Sequence, residues 1–173
     1  WLARHPEYSR KLLGQAGSSR RARARANRAR RVVTVSEFSA REIETLYEIP
    51  RERVVVIHNG VTEEFSPARE PQVMTMLRER WAIPSSGYVL FVGGADPRKN
   101  HRVFLQAVAQ SRSRLGGRAI VLVGDADHPL GSYLATAQSL GLERDVRCTG
   151  RLDREDLRRL YSFADLFVFP SLY

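Results

Sequence analysis

The sequence predicts an α/β protein built on parallel sheets, and three observations carry that prediction. Short, continuously apolar runs such as 88–92 and 119–123 alternate with longer segments whose apolar residues recur at helical spacing. A strand that is apolar throughout is buried on both faces, the position of a parallel strand covered by crossover helices. Glycines close several of these runs, at Gly93, Gly124 and Gly150, where a chain leaving a strand turns sharply toward the next helix.

The elements follow in order. Arg20, Arg21, Arg23, Arg25, Arg28, Arg30 and Arg31 crowd together, interleaved with alanine, which favours a helix. The run 31–36 then reads as a buried strand. Ser39 and Glu42 stand at the spacing of a capping box, with Ile43, Leu46 and Tyr47 on one face, and Pro50 ends that helix. A second β-branched strand covers 54–57, and His58-Asn59-Gly60 closes it in a turn where Asn-Gly permits positive φ. The polar, proline-bearing segment from Thr62 to Pro71 predicts a connection between domains, so the domains are 1–61 and 62–173. The second begins with a helix from Val73 to about Trp81, then strand 88–92, helix 100–115, strand 119–123 and helix 131–140. Strand 146–149, helix 154–163 and strand 166–169 complete it. Such alternation predicts a parallel sheet covered on both faces, with ligands bound beyond the carboxyl ends of its strands.

Composition bounds the function. With 43% hydrophobic and 27% charged residues in 173, the chain can bury a core, which excludes disorder throughout. No run approaches the roughly 18 apolar residues of a membrane-spanning helix and no signal-peptide pattern opens the chain, so a cytoplasmic protein is expected. The single cysteine, Cys148, excludes a disulfide framework within the chain and reads as a small core residue. His5, His58, His101 and His128 show no metal-ligand spacing. His58 reads as structural, and His101 as a residue of a helix surface. The formal charge of +9 favours an anionic partner. For the arginine-rich segment the plain reading is a solvated helix face. Contact with anionic lipid on the inner face of the plasma membrane ranks second, and nucleic acid is disfavoured because no aromatics interleave with the arginines. Trp1 at the start, and an apolar run only three residues from the end, give the expectation that both ends are cut.

The turn Val92-Gly93-Gly94-Ala95-Asp96-Pro97-Arg98-Lys99-Asn100 is the most informative stretch. It leaves a strand through two glycines and delivers two cations to the start of a helix that Asn100 can cap. A helix N-terminus offers free N–H groups and positive partial charge, so Arg98 and Lys99 placed there would suit a diphosphate. The plain alternative is that the glycines serve only the turn and the cations are solvated. Likewise Asp153 suits a helix cap, and Asp125 a local turn partner.

The succession Val33-Thr34-Val35-Ser36-Glu37-Phe38-Ser39, then Val56-Ile57-His58-Asn59-Gly60-Val61, then Phe91-Val92-Gly93 to Pro97-Arg98-Lys99-Asn100, resembles retaining glycosyltransferases of family 4 with the GT-B fold. The blocks Val121-Leu122-Val123-Gly124, Val146 to Gly150, Leu157 to Tyr161 and Ala164 to Ser171 agree in order. The resemblance implies two Rossmann-like domains, here the end of the acceptor-side domain and most of the donor-binding one. It implies transfer from a nucleoside-diphosphate sugar to an acceptor hydroxyl with retention, in polysaccharide or glycolipid synthesis and without a metal. The acceptor would be a glycan or lipid-linked sugar. Lys99, with Arg98 beside it, would bind the donor diphosphate and steady the departing charge, in a cleft lined by Gly93, Gly94, Gly124 and Gly150. Arg151 and Leu152 would contact the base. Many members carry arginine where this chain has Gly94. A subgroup with many mannosyltransferase-like members has a small residue there before Pro-Arg-Lys-Asn, which favours GDP-mannose as donor and leaves Arg98 to compensate. The family's two-glutamate donor motif would begin just after Tyr173, so this polypeptide alone is expected to be inactive. Two rivals remain: a noncatalytic sugar-nucleotide binder on the same fold, and a nucleic-acid module using the arginines.

Overall fold

Apolar strands and one-sided helices assemble in the computed structural model, which describes residues 18–67, 70–128 and 131–172. Contacts divide the chain into two units, Trp1–Thr62 and Glu63–Tyr173.

In the first unit the alanine–arginine segment forms helix α1, Ser18–Arg28. Its last carbonyls would be unsatisfied at the helix end. The Arg53 guanidinium donates to those of Ala26 (3.2 Å) and Asn27 (3.1 Å), and to that of Ala29. Strands β1 (Val32–Thr34) and β2 (Val54–Val56) pair in parallel, Val32 opposite Val54 and Thr34 opposite Val56. Between them lies helix α2, Glu37–Tyr47. Its cap is Ser36, whose hydroxyl accepts from the Ser39 amide at 3.1 Å, and not Ser39 as the capping-box spacing suggests. The reason is local: a serine directly after a strand is already in extended backbone, as an N-cap must be. The helix ends at Glu48, in left-handed conformation at φ 55°, before Pro50 is reached.

Ala40, Ile49 and Val54 form this unit's small core. Burial differs from the expected strand burial, because Val33 is 61% exposed and Ile57 59%. Among the described residues only one face of the β1–β2 pair is covered, and residues alternate between faces. Asn59 and Gly60 do not take the positive φ that the Asn-Gly turn permits. The His58 Nδ1 lies 3.2 Å from the Val35 carbonyl oxygen.

The second unit holds a four-stranded, all-parallel sheet in which strand 88–92 lies between strands 119–123 and 166–167, with strand 146–150 on the outer side of 119–123. Its strands are β3 (Tyr88–Val92), β4 (Ala119–Val123), β7 (Val146–Gly150) and β8 (Leu166–Phe167). A two-stranded hairpin, β5 (Asp127–His128) and β6 (Gly131–Ser132), interrupts the region expected as helix 131–140. The helix there is α5, Tyr133–Ser139, capped by Ser132. The remaining helices are α3 (Pro71–Trp81), α4 (His101–Gln110) and α6 (Arg154–Phe163). Helix α4 stops at Gln110, and residues 112–114 form a separate 3-10 turn instead of continuing to Leu115. Helix α6 has the expected bounds and the expected cap, Asp153, whose carboxylate accepts from the Asp156 amide at 2.8 Å.

Both faces of the central strands β3 and β4 are covered, as continuous apolar strands require, whereas at the edge strand β8 Leu166 is 53% and Phe167 43% exposed, short of the burial its apolar run predicts. Val89, Phe91, Ile120 and Leu122 pack with Phe104, Leu105 and Val108 of α4 and with Tyr133 and Ala137 of α5. Tyr88, Leu90, Val121 and Val123 pack on the other face with Leu77 of α3 and Leu160 of α6. Cys148 joins the first cluster as the expected small residue, and burial pushes its thiol pKa up.

On α4, His101 is 2% exposed and not at the surface as expected. It occupies the first position of the buried stripe continued by Phe104, Leu105 and Val108, and its ring meets the edge of Tyr133 at 5.2 Å.

A buried carboxylate ties α3 to α6. Asp156, 5% exposed, accepts from Arg80 at 2.6 Å and from Arg159 at 3.3 Å. Asp156→Ala should lower unfolding free energy by about 2 kcal/mol, because it strands cationic partners at a packed helix contact. Denaturant unfolding measures this, and a loss near zero would show that the pair is only a solvated surface bridge.

Candidate functional site

The sheet order fixes where a site can form. Strands β3, β4 and β7 lie successively outward on one side, and β8 returns to the other side of β3. The direction of winding reverses between β3 and β8, and a crevice opens at such a reversal beyond the carboxyl ends of the strands. The turn after β3 and the segment after β8 therefore meet at the expected place.

Three strand ends are laced together through glycines. The Gly93 amide donates to the Val123 carbonyl at 2.9 Å, and the Ala95 amide to that of Asp125 at 2.9 Å. The Gly124 amide donates to Gly150 at 2.9 Å, so the ends of β3, β4 and β7 form one continuous rim. Gly124 is required there: at φ +121° a Cβ would overlap the Gly94 backbone nitrogen.

Beyond Gly93 and Gly94 the chain enters a 3-10 turn, Pro97–Lys99, so Arg98 and Lys99 precede α4 and do not lie in its first turn. Asn100 stands at the N-cap of α4 in left-handed conformation, φ 58°, and makes no side-chain cap. Its Nδ2 instead donates to the Pro170 carbonyl at 3.3 Å. The Leu172 amide donates to the Arg98 carbonyl at 2.9 Å, so two hydrogen bonds clasp the turn to the segment following β8.

The cations differ in what holds them. Arg98 folds back on Asp96, donating from Nε to Oδ1 (3.1 Å) and Oδ2 (2.9 Å). Asp96 is itself pinned, since Oδ1 accepts from the Arg98 amide at 2.8 Å. These hydrogen bonds raise the already high guanidinium pKa. Arg151 is held in the same manner, with Nε 3.0 Å from both Asp125 oxygens and Nη2 2.7 Å from Oδ2. The bonds from Arg151 lower the Asp125 carboxyl pKa. Leu152 packs against the second core cluster, which leaves its backbone as the polar part it can offer.

Lys99 is different. Among the described residues no carboxylate pairs with it. Its stem runs past Gly93, where a Cβ would stand 3.0 Å from Lys99 Cγ, and its Nζ lies 4.6 Å from the centroid of the Phe169 ring. The structure thus brings Gly93, Gly94, Gly124 and Gly150 to one rim, with Arg98, Lys99 and Arg151 borne on its turns. The sequence reading missed Asp96 and Phe169. Asp96 had a signal in the Asp-Pro dipeptide that opens a capped turn, whereas nothing near Lys99 in sequence points to Phe169. Among the described residues no group of three His, Cys, Asp or Glu side chains could hold a metal, and no helix is long and apolar enough to cross a membrane.

A parallel sheet of this winding, with glycine-laced strand ends, defines an α/β protein of the Rossmann-like class. The family model described as glycosyl transferases group 1 matches residues 86–173, and that described as Glycosyltransferase Family 4 matches residues 1–65. The chain belongs to the glycosyl transferases group 1 family, as a family 4 member with part of a GT-B fold. It is 31% identical over 149 residues to O-antigen chain mannosyltransferase B of Escherichia coli, covering 84% of this chain and 38% of that protein. It is 36% identical over 156 residues to D-inositol 3-phosphate glycosyltransferase of Thermobispora bispora, covering 83% of this chain and 35% of that one. The crystal structure of Anabaena HepE in complex with UDP and glucose aligns with a TM-score of 0.73 at 25% identity, over 93% of this chain and 44% of that one. The chain thus spans less than half the length of these relatives.

Proposed function

We propose that this chain supplies the donor-binding core of a glycosyltransferase that moves a sugar, mannose by preference, from a nucleoside-diphosphate sugar to an acceptor hydroxyl with retention. Residues 62–173 are the donor side, and 1–61 the end of the acceptor side. One observation carries the reading: Lys99, without an acidic partner among the described residues, stands at the reversal of the parallel sheet beside the glycine rim. As the bond between sugar and diphosphate breaks, negative charge grows on the departing phosphate, and a fixed cation there lowers the barrier. The mannosyltransferase relative supports the sugar, and the UDP held by HepE supports the donor class. The acceptor is a glycan or lipid-linked sugar of polysaccharide or glycolipid synthesis. The enzyme works in the cytoplasm, resting on the inner membrane face through α1, where Arg21, Arg25 and Arg28 are exposed.

The test uses the full-length protein with GDP-mannose and UDP-glucose, and reads the product anomer by NMR. An α product from an α donor, formed equally in the presence of a chelator, is the expected result. An inverted anomer would end the retaining assignment, and nucleotide binding without turnover would make the protein a sensor.

A further inference from the structure

Exposed aromatic rings stand near Lys99, on β8 and on the segment that follows it. Phe167 is 43% exposed and Phe169 50%. They are not loose. Phe169 stacks on Phe167 at 6.0 Å, Phe167 meets the edge of Tyr161 at 5.0 Å, and Tyr161 meets that of Phe65 at 6.3 Å. This ladder props the last ring, and the clasp from Asn100 to Pro170 and from Leu172 to Arg98 holds it in register with the turn bearing Lys99. The lysine stem also runs close past Gly93, where a Cβ would stand 3.0 Å from Lys99 Cγ and 3.1 Å from Cδ.

We propose that Phe169 is a positioning residue for Lys99: its ring face fixes the ammonium between the carboxyl ends of β3 and β8. A flexible four-carbon stem otherwise spreads the charge over many rotamers, and a ring face near the ammonium selects one region by cation–π attraction. The inference rests on the donor-site reading above, and adds what makes the lysine a fixed charge in place of a roaming one. A ring is suited to this where a carboxylate is not. It attracts the cation without cancelling its charge, so the full positive charge remains for a diphosphate.

The experiment measures GDP and UDP affinity by calorimetry, together with kcat and KM for transfer, in the full-length protein. Phe169→Leu should weaken binding of the cognate nucleoside diphosphate about fivefold, the size of an exposed cation–π contact. The loss should appear in kcat as well as in KM. Phe169→Trp, which keeps a ring face, should stay within about twofold. The deciding comparison is Phe169→Leu in a Lys99→Ala background, where no further loss is expected. An equal loss in both backgrounds would show that Phe169 acts through the fold and would overturn the proposal. So would Phe169→Leu at wild-type affinity while Lys99→Ala is impaired, which leaves the donor-site reading standing. Undiminished sugar transfer together with undiminished affinity for both nucleotides in Lys99→Ala would sink the donor-site reading and the proposal together.

Discussion

Lys99→Ala in the full-length protein is expected to lower kcat for sugar transfer about 100-fold or more, the usual cost of losing one preorganised group that meets charge developing in the transition state. The expectation follows from position. Arg98 and Arg151 each have a carboxylate at hydrogen-bond distance, while Lys99 has an aromatic ring. Affinity for the nucleoside diphosphate should fall by a smaller factor than kcat, because the product is not the transition state. Lys99→Arg should recover only part of the loss, since a planar fork is not a point charge on the same stem. Sugar transfer and nucleotide affinity both at wild-type level in Lys99→Ala would remove Lys99 from the mechanism.

Gly124→Ala should destabilise the second unit by about 3 kcal/mol and disturb nucleotide binding with it, combining backbone strain with overpacking. The added Cβ overlaps the Gly94 nitrogen and approaches its Cα to 2.8 Å. These obstacles are backbone atoms held by hydrogen bonds from Gly93 to Val123 and from Gly124 to Gly150, so none swings aside as a side chain would. Denaturant unfolding reads the loss directly. Unchanged stability would mean that the rim shifts freely, and that its rigidity contributes nothing to the site.

Much of this fold is legible in the sequence, for a physical reason. Strands β3 and β4 and helix α6 have the bounds that pattern alone predicts, because burial on both faces writes continuous apolar runs and a one-sided helix writes its own period. What escapes the pattern is short or conformational. The β5–β6 hairpin has two residues in each strand, too few for any period to register. The cap of α2 shifts from Ser39 to Ser36 because two serines compete and the strand end decides between them. His101 is misread from its chemistry although its spacing to Phe104, Leu105 and Val108 already marks a buried stripe. At the site, the glycine turn is locatable from sequence, but the state of its charges is not. The pair Arg151–Asp125 joins residues 26 positions apart, and the ring over Lys99 comes from the far side of β3.

The two clamped arginines bear on turnover as well as on recognition. Asp96 and Asp125 cancel most of what Arg98 and Arg151 bring, so three cations and two anions leave the rim close to a single surplus charge. A ligand gripped that lightly can leave quickly. On the donor-site reading, the spent nucleotide escapes without a long dwell, and the two acids beside the phosphate pocket keep the enzyme from being choked by its own by-product.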